Sequence, residues 1–137
     1  MVLITQFLPD TKRFSPDKQT TGRNIYLAQR KLVIKILLIG KTGQIGWELQ
    51  YTCSPLGEIV ALEYPEVNLA DTKGLRRIIG IVRPDVILNA AAYTNVDKAE
   101  SEPKVARAVN AIGPGVLAEE AKKIGAVLMH WSTDYVF

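Results

Sequence analysis

Three glycines at a regular spacing follow a short run of apolar residues. The run covers residues 36–39, and the glycines are Gly40, Gly43 and Gly46. Where a buried strand turns into a helix, the first glycine allows the sharp turn, the second leaves room for a pyrophosphate, and the third lets the helix pack on the strand. N–H groups at the start of such a helix attract phosphate. The pattern therefore predicts a dinucleotide site, although a tight turn without a ligand would have the same spacing.

An acidic residue follows the next apolar run, 23 residues after Gly40. This residue, Glu63, stands close to the position at which such sites carry an acid that binds the adenosine ribose hydroxyls. Its carboxylate would repel a 2′-phosphate, which favours NAD over NADP; a solvated glutamate at the end of a strand is an equal alternative. Asn68 and Leu69 come shortly afterwards and could flank the adenine ring.

Small and polar residues follow two later apolar runs. Ala91 and Ala92 belong to an alanine triplet that would leave room for a planar ligand beside the glycine turn. Thr133 and Asp134 belong to a group of polar side chains, and the Thr133 hydroxyl could donate a hydrogen bond to a substrate carbonyl oxygen. No spacing of Cys and His suits zinc, and we expect no metal site.

These residues need a frame of alternating strands and helices to meet. Apolar and β-branched runs predict strands, and amphipathic stretches between them predict helices. The predicted strands are residues 32–39, 58–63, 85–89 and 126–131, and the predicted helices are residues 44–53, 72–82 and 97–120. This order predicts an α/β fold with a Rossmann-like doubly wound parallel sheet, of which the chain holds the amino-terminal half. Ligands bind at the carboxyl ends of the strands in such sheets.

Single residues predict where the helices begin, end and break. Asp71 is a suitable N-cap for the second helix, and Gly125 is a suitable cap at the end of the last. Gly113, Pro114 and Gly115 are expected to kink or split the helix between residues 97 and 120, because proline cannot continue an established helix.

Composition separates the first residues from the rest. Of the 137 residues, the first 35 carry seven Lys or Arg against two Asp, so the remainder is slightly acidic despite the net charge of +3. We therefore expect no nucleic-acid partner, and no apolar run is long enough for a membrane span. Residues 1–32 are predicted to be a disordered or spurious extension, and residues 33–137 one domain. A single cysteine excludes an internal disulfide and suits the cytoplasm.

Four segments together resemble a known enzyme family. GKTGQIGWEL, RPDVILNAAAYTNVDKAESEP, VNAIGPGVLAEEAK and HWSTDYVF resemble the dTDP-4-dehydrorhamnose reductases, which belong to the extended short-chain dehydrogenase/reductases. The resemblance runs from about residue 35 to residue 137. It implies hydride transfer from NADPH or NADH to the C4 ketone of dTDP-4-dehydro-L-rhamnose, the last step in making dTDP-L-rhamnose for polysaccharides.

The resemblance also implies roles for individual residues. The pyrophosphate would be contacted by Gly43, Gln44 and Ile45, and the adenosine ribose by Glu63. The adenine would lie near Asn68 and Leu69. The nicotinamide-side ribose and phosphates would be bordered by Ala92, Tyr93 and Thr94, and Trp131 would also lie against the cofactor. Thr133 would be the threonine of a Thr-Tyr-Lys catalytic set, and Asp134 would bind the sugar nucleotide. Cofactor preference is loose in the family, which weakens the argument for NAD.

One departure from the family pattern limits what this chain can do. The family's general acid is the tyrosine of a Tyr-x-x-x-Lys motif, and none of the five tyrosines here has a lysine four residues later. We therefore expect an amino-terminal fragment that is inactive alone and has at least one hydrophobic sheet edge open, so that it aggregates or needs a partner. The complete enzyme could form a homodimer. The alternatives are a non-catalytic relative, such as the regulatory subunit of methionine adenosyltransferase, and a sugar-nucleotide epimerase or dehydratase.

Overall fold

Strands and helices alternate along the described part of the chain. The structure, a computed structural model, describes residues 2–5 and 33–131. Its strands and α-helices are, in chain order, β1 (Val2–Thr5), β2 (Ile34–Ile39), α1 (Gln44–Cys53), β3 (Gly57–Leu62), α2 (Thr72–Val82), β4 (Val86–Asn89), α3 (Val96–Ser101), α4 (Pro103–Arg107), α5 (Gly113–Ile124) and β5 (Val127–Trp131). A 3-10 turn, Ser54–Leu56, follows α1, and a π-helical turn, Ala108–Ile112, joins α4 to α5.

The strands form one sheet in the order β1-β5-β4-β2-β3. β3, β2, β4 and β5 run parallel, and β1 pairs antiparallel with β5. From β2 the chain first turns to β3 on one side, and α2 then carries it back across β2 to β4 on the other side. This confirms the predicted doubly wound parallel sheet. The reversal of direction opens a crevice at the carboxyl ends of β2 and β4, which is where such sheets bind ligands.

Helices cover both faces of the sheet. Side chains alternate along a strand, so Leu37 and Ile39 of β2 point to one face and Ile36 and Leu38 to the other. The first face packs under α2 and α5, and the second packs under α1. All four side chains are buried, which explains why residues 36–39 are all apolar instead of alternating with polar residues.

The second helix has the predicted bounds and caps. Leu75 and Ile79, four residues apart, are its buried side chains. The Asp71 carboxylate accepts a hydrogen bond from the Gly74 N–H at 3.0 Å, which confirms it as the N-cap. At the end of the last helix, Gly125 has φ of 73°, so the predicted glycine cap is also confirmed.

The predicted helix 97–120 is split at Glu102, and at Gly113, one of the predicted positions, it changes from π-helical to α-helical geometry. Gly113, Pro114 and Gly115 form the first turn of α5 instead of interrupting a helix. The preceding turn is π-helical, and the Gly113 N–H donates to the carbonyl oxygen of Ala108, five residues earlier. This wider turn accommodates a proline, which has no N–H to donate. The break lies earlier, between α3 and α4 at Glu102, and the π-helical turn follows α4.

The first residues contain a strand that the sequence patterns did not reveal. Residues 2–5 were predicted to belong to a disordered or spurious extension, whereas Val2–Thr5 form β1 and pair with β5. The outer edge of β5 offers unpaired backbone groups, and pairing satisfies them on that side. The rest of the predicted extension, residues 6–32, lies outside the described residues.

Candidate functional site

The glycine turn joins the ends of three parallel strands. Gly40 has φ of 91°, in the region that favours glycine. Its N–H donates to the carbonyl oxygen of Leu62, at the end of β3, at 2.8 Å. A Cβ on Gly40 would lie 2.7 Å from the nitrogen of Ala91, in the loop after β4. A side chain at this position would therefore push β2 away from that loop.

The other two glycines of the turn have different reasons to be glycine. A Cβ on Gly46 would overlap the carbonyl oxygen of Gly40, so α1 can pack against the turn only without a side chain there. Gly43 has φ of −66° and ψ of 161°, which any residue can adopt. A Cβ on Gly43 would meet its nearest neighbour at 3.6 Å, an ordinary contact. The packing of the protein therefore leaves the space above Gly43 free.

The first turn of α1 has free backbone donors beside that space. The N–H of Trp47 makes the first helical hydrogen bond, to the Gly43 carbonyl oxygen at 2.8 Å. No side chain caps the helix, so the N–H groups of Gln44, Ile45 and Gly46 have no acceptor within it. The helix dipole adds a partial positive charge at the same end. The space beside the first turn of α1 therefore favours an anion.

Two glutamates and a lysine meet after β3. The Thr42 hydroxyl donates to the Glu63 carboxylate and fixes it at the edge of the crevice. The Glu66 carboxylate accepts hydrogen bonds from the Lys41 ammonium at 2.6 Å and from the Glu63 N–H at 3.3 Å. These two hydrogen bonds, the one from Lys41 first, lower the pKa of the Glu66 carboxyl. Glu66 is therefore ionised at neutral pH.

Two adjoining cavities open at the carboxyl ends of the strands. One has a volume of 160 Å³ and the other of 450 Å³. They share the lining residues Gly40, Glu63, Tyr64, Ala91 and Ala92, so they form one groove. The smaller cavity is further lined by Ile39, Val67, Asn68, Leu69 and Val109, and the larger by Thr42, Gly43, Ala90 and Thr94. The smaller end is mostly apolar, and the larger end lies over the glycine turn.

A buried asparagine holds the loop that forms one wall of the groove. Asn89, fully buried at the end of β4, accepts a hydrogen bond from the Ala91 N–H at 3.3 Å. Its amide NH₂ then faces Nδ1 of His130 at 3.0 Å, so the proton of a neutral His130 is on Nε2. Burial lowers the pKa of His130. Residues 90–95 form no helix, as predicted from the alanine triplet.

A second asparagine holds the middle of the same loop, and the sequence patterns missed it. The Asn110 side chain accepts from the Tyr93 N–H at 2.7 Å and donates to the Tyr93 carbonyl oxygen at 3.0 Å. Asn110 lies in the π-helical turn; such turns often occur at functional sites. The available signal was an asparagine within a helical pattern, where this residue type is unfavourable unless its side chain has a partner elsewhere.

Tyr93 itself turns away from the groove. Its hydroxyl donates to the Glu102 carboxylate at 2.9 Å. Desolvation first, and then Glu102, raise the pKa of Tyr93. The side chain is therefore a neutral donor, and it ties the loop to the junction between α3 and α4.

The structure gathers most of the predicted cofactor-binding residues around one groove. Eight of them line the two cavities: Gly40, Gly43, Glu63, Asn68, Leu69, Ala91, Ala92 and Thr94. Gln44, Ile45 and Gly46 form the adjacent first turn of α1. Tyr93 and Trp131 line neither cavity, and Trp131 packs with the cluster on the α1 face of the sheet. Contact of these residues with a cofactor stays a prediction. Thr133 and Asp134, the predicted catalytic and substrate-binding residues, lie outside the described residues.

The groove has the three chemical features that a dinucleotide requires. The free N–H groups above Gly43 suit a pyrophosphate, the fixed Glu63 carboxylate can accept hydrogen bonds from ribose hydroxyls, and the apolar cavity suits a planar base. Within residues 33–131, no group of three or more His, Cys, Asp or Glu side chains is arranged to hold a metal ion. Among the helices that the structure describes, none is long and apolar enough to cross a membrane.

Comparison with known proteins assigns the chain to a family. Residues 34–137 match the family described as RmlD substrate binding domain. The chain belongs to this family. A further match is the dTDP-4-dehydrorhamnose reductase of Escherichia coli, which is 47% identical over 108 residues. The match covers 76% of this chain but 36% of that protein, so the chain spans about a third of the length of this relative.

Solved structures of similar proteins agree with the RmlD assignment. A hypothetical dTDP-4-dehydrorhamnose reductase from Sulfolobus tokodaii has a TM-score of 0.70 and 36% identity, over 76% of this chain and 41% of that one. The dTDP-4-dehydrorhamnose reductase of Bacillus anthracis, solved in complex with NADP, has a TM-score of 0.65 and 30% identity, over 70% of this chain and 35% of that one.

Proposed function

We propose that this chain is the cofactor-binding part of a dTDP-4-dehydrorhamnose reductase, with residues 33–137 as the NAD(P)H-binding domain. The observation that carries the proposal is the free space above Gly43, beside the first turn of α1. Neither the backbone conformation nor the packing requires glycine there, whereas a phosphate approaching the backbone does. The NADP complex of the Bacillus anthracis reductase supports the same cofactor class.

Residue roles follow from the groove. The N–H groups of Gln44 and Ile45 would donate to the pyrophosphate, and Glu63 would accept from the adenosine ribose. The apolar cavity, with Asn68 and Leu69 on its wall, would hold the adenine ring. Ala92 and Thr94 lie further along the groove, where the small alanine leaves room for the nicotinamide half of the cofactor.

The reaction proposed for the complete enzyme is reduction of the C4 ketone of dTDP-4-dehydro-L-rhamnose. When bound, the nicotinamide would supply the hydride. Thr133 would hold the substrate carbonyl oxygen through its hydroxyl, and Asp134 would bind the sugar nucleotide. A proton donor is also required, and this sequence contains no Tyr-x-x-x-Lys motif to provide it. A cytoplasmic location and a possible homodimer of the complete enzyme belong to the same proposal.

Binding of the cofactor by this chain is the direct test. Isothermal titration with NADH and with NADPH should give saturable binding of at least one of them, with a Kd of about 1 mM or tighter. Adding dTDP-4-dehydro-L-rhamnose should produce no turnover, because the acid is missing. A folded chain that binds neither cofactor would refute the proposal and would favour a non-catalytic, partner-binding relative.

A further inference from the structure

The glycine turn contains a lysine that forms an ion pair with a glutamate. Lys41 follows Gly40 directly, and its ammonium lies 2.6 Å from the Glu66 carboxylate. The Lys41 side chain is only 30% exposed, against 49% for Glu66, so the lysine is the more enclosed partner. Neither residue lines the two cavities of the groove. The Lys41 ammonium is therefore held by Glu66 and does not line the groove.

This ion pair lies at the adenosine end of the groove. Glu66 also accepts a hydrogen bond from the backbone N–H of Glu63, the residue proposed to bind the ribose. Thr42, the neighbour of Lys41, donates to the Glu63 carboxylate. The local charge is thus two carboxylates against one ammonium, a net of −1. Hydrogen bonds from Lys41 and from the Glu63 N–H lower the pKa of Glu66, so the ion pair persists at neutral pH.

The two nicotinamide cofactors differ at this end only. NADH presents a ribose 2′-hydroxyl, which can donate to the Glu63 carboxylate. NADPH presents a 2′-phosphate, which that carboxylate repels and which needs a cation for stable binding. Lys41 provides a cation in the glycine turn, but its ammonium is paired with the Glu66 carboxylate.

We propose that the Lys41–Glu66 ion pair determines the cofactor preference of this domain, favouring NADH by keeping the Lys41 ammonium from a 2′-phosphate. The inference rests on the proposed function, since it concerns the same nucleotide groove. It makes Glu66 a specificity-determining residue that does not touch the cofactor. It also makes Lys41 a latent ligand for the 2′-phosphate, which becomes available when Glu66 loses its charge.

Replacing Glu66 by glutamine tests the proposal. Glu66→Gln should tighten NADPH binding by about two- to fivefold, the range expected for one partly exposed charge pair, and should leave the Kd for NADH unchanged. Titrations with each cofactor, on this chain, give the ratio of the two dissociation constants. Glu58→Gln is the matched control, because it removes the same charge at the amino end of β3, away from the groove, and should leave the ratio unchanged.

A double-mutant cycle separates the released lysine from a general charge effect. Lys41→Met alone should not improve NADPH binding, and Lys41→Met combined with Glu66→Gln should cancel the gain of Glu66→Gln. If the gain persists without Lys41, or if Glu66→Gln leaves the ratio unchanged while both cofactors bind, the inference is wrong and the proposed function stands. If the unaltered chain binds neither cofactor, both fail.

Discussion

The three glycines of the turn have equal spacing but unequal roles. Position 40 requires glycine because its φ is positive and its backbone lies close to Ala91. Position 46 requires glycine because a Cβ there would overlap the carbonyl oxygen of Gly40. Both requirements come from the protein itself. Gly43 has neither requirement, so we expect its missing side chain to make room for a ligand in the groove. Substitution of Gly46 should therefore mainly lower the stability of the domain, whereas substitution of Gly43 should mainly weaken cofactor binding.

Gly43→Ala should weaken cofactor binding without unfolding the domain. The new methyl group would stand where the pyrophosphate approaches, so we expect at least a tenfold higher Kd, which corresponds to about 1.4 kcal/mol. The free energy of unfolding should change by less than about 1 kcal/mol, since alanine is a poorer N-cap but restricts the unfolded chain. Urea denaturation and cofactor titration of the same samples measure the two quantities.

Gly46→Ala is the matched comparison for this prediction. Its methyl group would overlap the Gly40 carbonyl oxygen, so the variant should lose about 1–3 kcal/mol of unfolding free energy. Unchanged cofactor affinity in Gly43→Ala, or equal destabilisation by both substitutions, would contradict the distinction between the two glycines.

Among the elements, the π-helical turn Ala108–Ile112 connects the helical layer to the groove. It directs Asn110 to both backbone groups of Tyr93, so that the loop after β4 is fixed at its middle as well as at its start. Gly113, where α5 begins, lies against the backbone of Leu69 on the opposite wall of the groove. Both walls therefore depend on this one junction between α4 and α5.

Asn110→Ala should release the loop and weaken cofactor binding. It removes two hydrogen bonds at an exposed site, so the unfolding free energy should fall by no more than about 1 kcal/mol. The cofactor Kd should rise several-fold, because the loop wall has to be ordered on binding. Arg107→Ala, an exposed position on the same helical stretch, is the control and should change neither quantity. A loss of stability in Asn110→Ala with unchanged affinity would restrict Asn110 to a structural role.

At the scale of the whole molecule, one histidine is expected to make the stability of the domain depend on pH. His130 is the only histidine of the chain. Burial lowers its pKa from the ordinary value of 6.5, so the folded state binds fewer protons there than the unfolded state. Its contribution to stability is complete above about pH 6.5 and is lost as the pH falls through the lowered pKa.

The domain should therefore be less stable at pH 5.5 than at pH 7.5, a range in which most carboxyl groups remain ionised. Urea denaturation at the two pH values measures the difference. His130→Asn keeps an acceptor for the Asn89 amide but cannot be protonated, so it should reduce the difference. An equal pH dependence in the variant would assign the effect to other groups.

The sequence alone determined most of the parallel sheet. Continuous apolar runs in β2 and β4, the exact helix 72–82 with its Asp71 cap, and the glycine turn are local signals, because each depends on burial, capping or turn geometry within a few residues. The groove could be predicted for the same reason: the carboxyl ends of parallel strands always lie at one edge. Glu63, Ala91 and Ala92 were found in this way.

Contacts between distant residues needed the tertiary structure. β1 pairs with β5 across more than 120 positions. The residue types of Val2–Thr5 suit a strand, but four residues carry no sign of which strand they pair with. Asn110 and Tyr93, and likewise Lys41 and Glu66, meet only because separate elements converge on the groove. The sequence therefore predicted the edge of the sheet at which we propose that a nucleotide binds. The packing decided that Gly43 is free for it, and that the charge of Lys41 is already held by Glu66.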